Sequence, residues 1–293
     1  MFQSEKLDDK EKKMSNIKVR DKFWIFASRP HDDDPYFGQS KDGVLMGCEW
    51  SRITPAEGAF MLGTPNLMMI VSDGIPVPYS KDAIGHLESF CRLKRVLWSC
   101  TGSGGFRNGN EEEFICDMSE EYPNIIGGFF DDVTWHHRCQ RSRTPAECKE
   151  LFDNARKKFD EAGKPMEIWS TCYSSQFDMY PKDTFENVDV ITIWGMDRTS
   201  KENYLNDFKK YEEVYPEKRK AIGIYLYDYI NRCAWDLNIF KMECETALEL
   251  LKEGRIDEII FLTNCTMGIG LETELWLRDW IDKVGDEALV TES

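Results

Sequence analysis

Asp131 and Asp132 stand side by side at the end of an apolar run, Ile125–Phe130, and Trp135, His136 and His137 follow almost at once. Two neighbouring carboxyl groups can divide acid–base work, one holding a proton to donate while the other serves as base or nucleophile. An indole and two imidazoles add a stacking face and hydrogen-bonding nitrogens. A buried strand has no use for such a cluster at its end unless the cluster meets solvent or a ligand. Side chains alternate along a strand, so one of the two acids is expected to face that ligand. Asp132, nearer the strand's outer end, is the preferred one.

Short apolar runs of this kind read as buried strands. Eight recur: Phe23–Ala27, Leu67–Val71, Val96–Cys100, Ile125–Phe130, Met166–Thr171, Val188–Trp194, Ala221–Tyr227 and Ile256–Leu262. Amphipathic segments separate most of them. In the clearest, Thr144 is an N-cap, Pro145 suits the first helical position and Glu147 closes a capping box. Cys148, Leu151, Phe152, Ala155, Phe159 and Ala162 then share one helical face, which Gly163 ends. Further helices are expected from Ser80 through Cys91, and over Glu202–Tyr215, Leu237–Glu253 and Glu274–Val284.

Strand–helix alternation implies a parallel sheet. Eight such units in 293 residues imply the α/β class and a single (β/α)8 barrel rather than an open doubly wound sheet. An open sheet often carries a glycine-rich phosphate loop after its first strand; here Arg29-Pro30-His31-Asp32-Asp33-Asp34 occupies that position. Residues 1–21, charged with both signs, read as a mobile lead-in, and residues 22–293 as the barrel domain.

A barrel gathers the residues that follow its strands at one mouth, where such folds do chemistry. The candidates to meet a substrate there are Arg29, His31, Asp73, Trp98, Trp135, His136, Trp169, Tyr173, Trp194, Tyr227 and Asn264, with Asp197 and Asp228 as further strand-end acids. Sugar rings present apolar C–H faces ringed by hydroxyls. Indole and phenol faces pack on the former, and carboxylates and amides bond the latter. Hydrolysis of a glycosidic bond also needs two carboxyl groups. Trp135 is the leading candidate for a stacking platform. The Asp32–Asp34 run reads as a solvated loop, and Thr101-Gly102-Ser103-Gly104-Gly105 as a flexible loop rather than a phosphate nest.

The formal net charge of -16 argues against a nucleic-acid partner and an anionic membrane surface, and leaves a neutral small molecule or oligosaccharide compatible. Ten cysteines are scattered with no C-x-x-C spacing, which removes support for zinc ribbons and thioredoxin-like sites. Neither H-x-H nor H-E-x-x-H occurs, so no metal site and no cofactor is expected. Scattered thiols and a start without an apolar core suggest a cytoplasmic protein, with secretion the alternative if a signal segment has been removed.

At GGFFDDVTWH on the fourth run, IWSTCY on the fifth, TIWGMD on the sixth and GIYLYDY on the seventh, the chain resembles uncharacterised bacterial (β/α)8-barrel proteins labelled glycoside hydrolases. The resemblance spans most of the barrel. It implies an acid at the end of strand four, matched by Asp131 or Asp132. The partner it implies is Asp228 in the arrangement that uses strand seven, or Asp197 in the one that uses strand six. The Asn-Glu pair that the strand-seven arrangement carries at strand four is absent here. The favoured function is therefore a glycoside hydrolase. The alternatives are a non-catalytic carbohydrate-binding barrel and a metal-dependent hydrolase or isomerase.

Overall fold

Among the described residues of the structure, a computed structural model covering 17–30, 51–72, 74–229, 231 and 233–289, each of the eight apolar runs forms a strand. They are β1 (Phe23–Ser28), β2 (Asn66–Ile70), β3 (Arg95–Thr101), β4 (Ile125–Phe130), β5 (Glu167–Tyr173), β6 (Val190–Trp194), β7 (Arg219–Tyr225) and β8 (Glu258–Leu262). All are parallel to their neighbours, and β1 closes the ring on β8, with Phe23 opposite Ile259. The fold is a single (β/α)8 barrel.

Among the described residues, seven helices run outside it: α1 (Pro55–Leu62), α2 (Lys81–Ser89), α3 (Glu111–Glu121), α4 (Pro145–Asp160), α5 (Lys201–Val214), α6 (Leu237–Lys252) and α7 (Glu272–Val284). Between β5 and β6 the crossover consists instead of two short 3-10 turns, Ser174–Gln176 and Lys182–Phe185. The N-terminus of α4 forms as its sequence dictates. The Thr144 hydroxyl accepts from the Glu147 N–H at 3.3 Å, and the Glu147 carboxylate accepts from the Thr144 N–H at 2.8 Å. The buried face Cys148, Phe152, Ala155 and Phe159 then packs on the sheet, with Phe152 edge-on to Phe130.

Strand alternation divides the apolar residues into two cores. One lies between sheet and helices. The other fills the barrel, where Trp24, Met68, Leu97, Phe129, Trp169 and Ile260 meet. The barrel is thus packed through its lower half and can open only at its mouth.

Residues 17–21 of the expected lead-in are docked on the barrel. Residues 1–16 lie outside the described ones, but Val19 is fully buried and donates its N–H to the Glu287 carbonyl at 2.9 Å, while Lys18 and Arg20 pair with Asp286. Val19, with the partly buried Ile17 packed on the same core, docks this segment at the end of α7.

Candidate active site

The strand-four end is shaped by an irregularity in its neighbour. Ser99 pairs with Phe129 but Thr101 with Phe130, so β3 carries one extra residue there. Such bulges re-aim the side chains beside them. Asp131 N–H then bonds the Thr101 carbonyl at 3.0 Å, and the Thr101 hydroxyl donates to the Asp131 carbonyl at 2.6 Å. This fixes the backbone from which both acids project.

Alternation alone would turn Asp131 inward, in step with Phe129, and Asp132 outward. The structure places both carboxyl groups on one cavity. The reason is local. Asp132 has φ +42°, in the left-handed region that aspartate tolerates better than most side chains. The chain turns there, and the second acid rotates back to the side of the first.

Their surroundings differ. Asp131 is 5% exposed, and its carboxyl accepts from the Thr171 hydroxyl at 3.2 Å and from the Asp132 backbone N–H. Burial, with the negative charge of Asp132 adding to it, pushes the Asp131 carboxyl well above the usual carboxylate range. Asp132 is half-buried and receives two donors. The Gly104 N–H reaches Oδ2 at 2.8 Å and the Tyr173 hydroxyl reaches Oδ1 at 2.5 Å. Gly104 adopts φ +65°, so the loop's backbone turns toward an acid of the protein itself. Burial first, then the neighbouring Tyr225 and the two acids, push the Tyr173 phenol up, which keeps it a donor.

The cavity measures about 270 Å³. Trp194, Tyr173 and Tyr225 form its aromatic wall, with Trp194 and Tyr225 tilted at 5.1 Å between centroids. The indole fits because residue 223 is glycine: a Cβ there would lie 2.2 Å from the Trp194 ring. Trp194, 2% exposed, donates its N–H to the Thr192 hydroxyl at 2.8 Å, which fixes the indole in the cavity wall. Asn264 also lines the cavity, but its amide is spent on the backbone: it donates to the carbonyls of Ser28 and Ile53 and accepts from the Ser28 N–H. It clamps the ends of β1 and β8 together.

Other candidates from the sequence lie elsewhere. Trp98 is fully buried on the helix side of β3, edge-on to Phe114, because its strand turns Leu97 and Ser99 inward. Trp169 points into the barrel but lies below the mouth, against Trp24 at 4.9 Å, with its N–H on Glu167. Trp135 is 38% exposed in a two-residue ladder with Arg141–Ser142, outside the acid-lined cavity. The neighbouring His136 caps the turn after it, its ring accepting from the Cys139 N–H at 3.3 Å. Arg29 pairs with Asp82 at 3.6 Å. Asp197 is exposed and accepts from the Thr199 N–H and hydroxyl. Asp228 and Tyr227 are buried on a neighbouring cavity, where the Asp228 carboxylate takes both the backbone and side-chain N–H of Asn231. His31 and Asp73, with Asp32–Asp34, lie outside the described residues.

Thr171 and Tyr225 were not singled out as ligands from the sequence, although the signal was present. Trp169, Thr171 and Tyr173 alternate on β5, as do Ala221, Gly223 and Tyr225 on β7, so each trio shares the inward face. Gly104 gave no such signal, since a turn glycine's N–H has no direction in sequence. Among the described residues, no group of three or more His, Cys, Asp or Glu side chains gathers as a metal site.

No protein-family model matches the chain, and no curated protein matches it in sequence. Solved structures do match in shape. A protein from Bacteroides thetaiotaomicron designated an α-L-fucosidase is 12% identical, with 97% of this chain and 99% of that one aligned at a TM-score of 0.55. A xylanase from Cellvibrio japonicus is 9% identical over 91% of this chain and 98% of its own, at 0.54. A xylanase–α-amylase inhibitor protein, solved with trehalose, is 10% identical over 89% and 98%, at 0.52. At these identities the likeness establishes the barrel fold. Among the described residues, no helix is long and apolar enough to cross a membrane.

Proposed function

We propose that this protein is a glycoside hydrolase whose reaction centre is the Asp131–Asp132 pair. One observation carries the reading: two adjacent carboxyl groups line a single aromatic-walled cavity at a barrel mouth, in environments that separate their roles. Asp131, held protonated by burial and by its neighbour, is the general acid. It gives its proton to the glycosidic oxygen as the bond to the anomeric carbon breaks. Asp132, positioned by Tyr173 and Gly104, sets its carboxylate against the positive charge that develops on the sugar ring. Water adds to the anomeric carbon, and its proton returns to Asp131. The Trp194 and Tyr225 faces take the apolar face of the ring. A neutral sugar or oligosaccharide is the substrate, in keeping with the net charge of -16.

The second reading is a sugar-binding barrel without turnover, as the likeness to an inhibitor protein suggests. It is favoured by the positions of Asp197 and Asp228, which leave Asp131 and Asp132 as the carboxyl groups of this cavity among the described residues.

A panel of 2,4-dinitrophenyl and 4-methoxyphenyl glycosides separates the two readings. Asp131→Asn is expected to lower kcat on the poor 4-methoxyphenyl leaving group by about 10²–10⁴-fold and to spare the activated one, which needs no acid. Asp132→Asn is expected to slow both. Undiminished turnover in both variants would overturn the assignment, and sugar binding with no turnover in the parent protein selects the second reading.

A further inference from the structure

Beside the acid-lined cavity lies a larger one, of about 520 Å³, between the ends of β6 and β7 and the start of α6. Tyr173, Tyr225 and Tyr229 line both, so the two compartments share a wall. The smaller alone falls below the ~300–1,000 Å³ usual for ligand sites, and the pair falls within it.

Into the larger compartment faces Arg198, whose side chain is 10% exposed. Its Nε donates to the buried Glu243 carboxylate at 3.1 Å, and its guanidinium sits 4.5 Å from the Trp235 ring and 5.2 Å from the Tyr225 ring. These contacts fix the guanidinium in place. Its Nη2 is buried and has no hydrogen-bond partner, and the indole N–H of Trp235, on the same cavity, has none either. Two donors buried without acceptors in one apolar pocket are a deficit that native proteins rarely leave unfilled. What they require is a ligand that brings acceptor oxygens and an apolar face.

We infer that this compartment is a second sugar subsite, holding a neutral unit of the same oligosaccharide whose neighbouring unit sits at Asp131 and Asp132. The inference rests on reading the acid-lined cavity as a sugar site. Arg198 and Trp235 donate to hydroxyl or ring oxygens, while Met196 and Ile239 face the sugar's C–H groups. A neutral unit fits better than a uronate. The guanidinium is already paired with Glu243, and the Asp228 carboxylate stands in the same wall, where a further anion would be repelled.

The test fills the compartment without touching the ion pair. Ile239→Trp places an indole where the second unit would lie. Binding is followed by tryptophan fluorescence and calorimetry with cellotriose, laminaritriose, xylotriose and mannotriose, and with the 4-nitrophenyl monoglycoside of each sugar. The variant is expected to weaken the trisaccharide that binds about tenfold more than it weakens the matching monoglycoside, the scale on which filling or emptying a pocket discriminates ligands. Trp235→Phe, which removes the indole N–H together with its five-membered ring, is expected to shift the same balance in the same direction by less. Equal weakening of both ligands, no binding by any trisaccharide, or tighter binding of the corresponding uronate-bearing trisaccharide overturns the inference. Because the readout is binding, trisaccharide selectivity without turnover would uphold the subsite and reject the hydrolase. Turnover with no selective effect of Ile239→Trp would do the reverse.

Discussion

Glu258 and Asp131 are buried acids at opposite ends of one barrel, and their partners could hardly differ more. Glu258, at the start of β8 and fully buried, receives both terminal nitrogens of Arg95 at 2.8 and 2.9 Å, the Trp24 N–H at 2.8 Å and Lys22 at 3.4 Å. Arg95 also lies 4.6 Å above the Trp24 ring. Every lone pair of that carboxylate has a donor, and the barrel's floor is closed by it. Asp131, just beyond β4, has one hydroxyl and one backbone N–H as donors, no cation among the described residues, and a second acid beside it. The same residue chemistry is therefore a structural plug where cations surround it and, on the proposed function, a reservoir for a proton where they do not. A barrel whose lower end is stabilised in this way can tolerate an unbalanced acid at the other.

The largest effect expected from breaking this contrast is on the floor. Glu258→Gln leaves the partly buried Arg95 and Lys22 without their anion, and removing one partner of such a network costs up to about 3–5 kcal/mol. Urea unfolding should show that loss, while kcat on any glycoside the parent turns over should hold. A variant as stable as the parent would mean that the floor network contributes no more than a surface pair.

At the mouth the same kind of change has the opposite sign. Asp131 has a folded pKa above its unfolded value, so folding favours the protonated form. Its contribution to stability is complete below the unfolded pKa, near 3.8, and is lost as pH rises through the raised folded value. Asp131→Asn removes that loss. The variant should match the parent near pH 4 and be more stable at neutral pH, by about 1–3 kcal/mol, the usual scale for relieving a buried polar group short of partners. Thermal unfolding at both pH values measures it. A variant less stable than the parent at neutral pH would mean that the carboxylate is better paired than its contacts show.

How much of this contrast the sequence carries follows from which residues obey strand alternation. The barrel was legible because each apolar run has the length of one strand and most are followed by a capped helix, as Thr144 to Glu147 show. Parity along the strands was legible too. Leu97 and Ser99 face inward, so Trp98 cannot, and Val190 and Thr192 bring Trp194 in with them. What sequence does not encode locally is departure from parity. The extra residue in β3 and the left-handed turn at Asp132 bring two adjacent acids to one cavity, and neither follows from residue type. Nor does sequence say which strand-end acids are already occupied. Asp228 is tied to Asn231, and Asp197 to the backbone before α5.

Asp197 offers the smallest and sharpest check on that last point, because the resemblance to barrel hydrolases made it a candidate partner for the strand-four acid. Its Oδ1 accepts from the Thr199 hydroxyl at 2.5 Å and the Thr199 N–H at 2.8 Å, and those bonds hold its carboxyl below the usual range. A folded pKa below the unfolded one contributes stability above pH 3.8 that is lost as pH falls through the folded value. Asp197→Ala should therefore lower Tm slightly at neutral pH, within the range of ordinary surface substitutions. The difference should vanish once acid has protonated the parent's carboxyl. Turnover should be unaffected. If Asp197→Ala instead lowers kcat as steeply as Asp132→Asn, strand six supplies a reacting carboxylate after all, and the adjacent pair at strand four is only half of the centre.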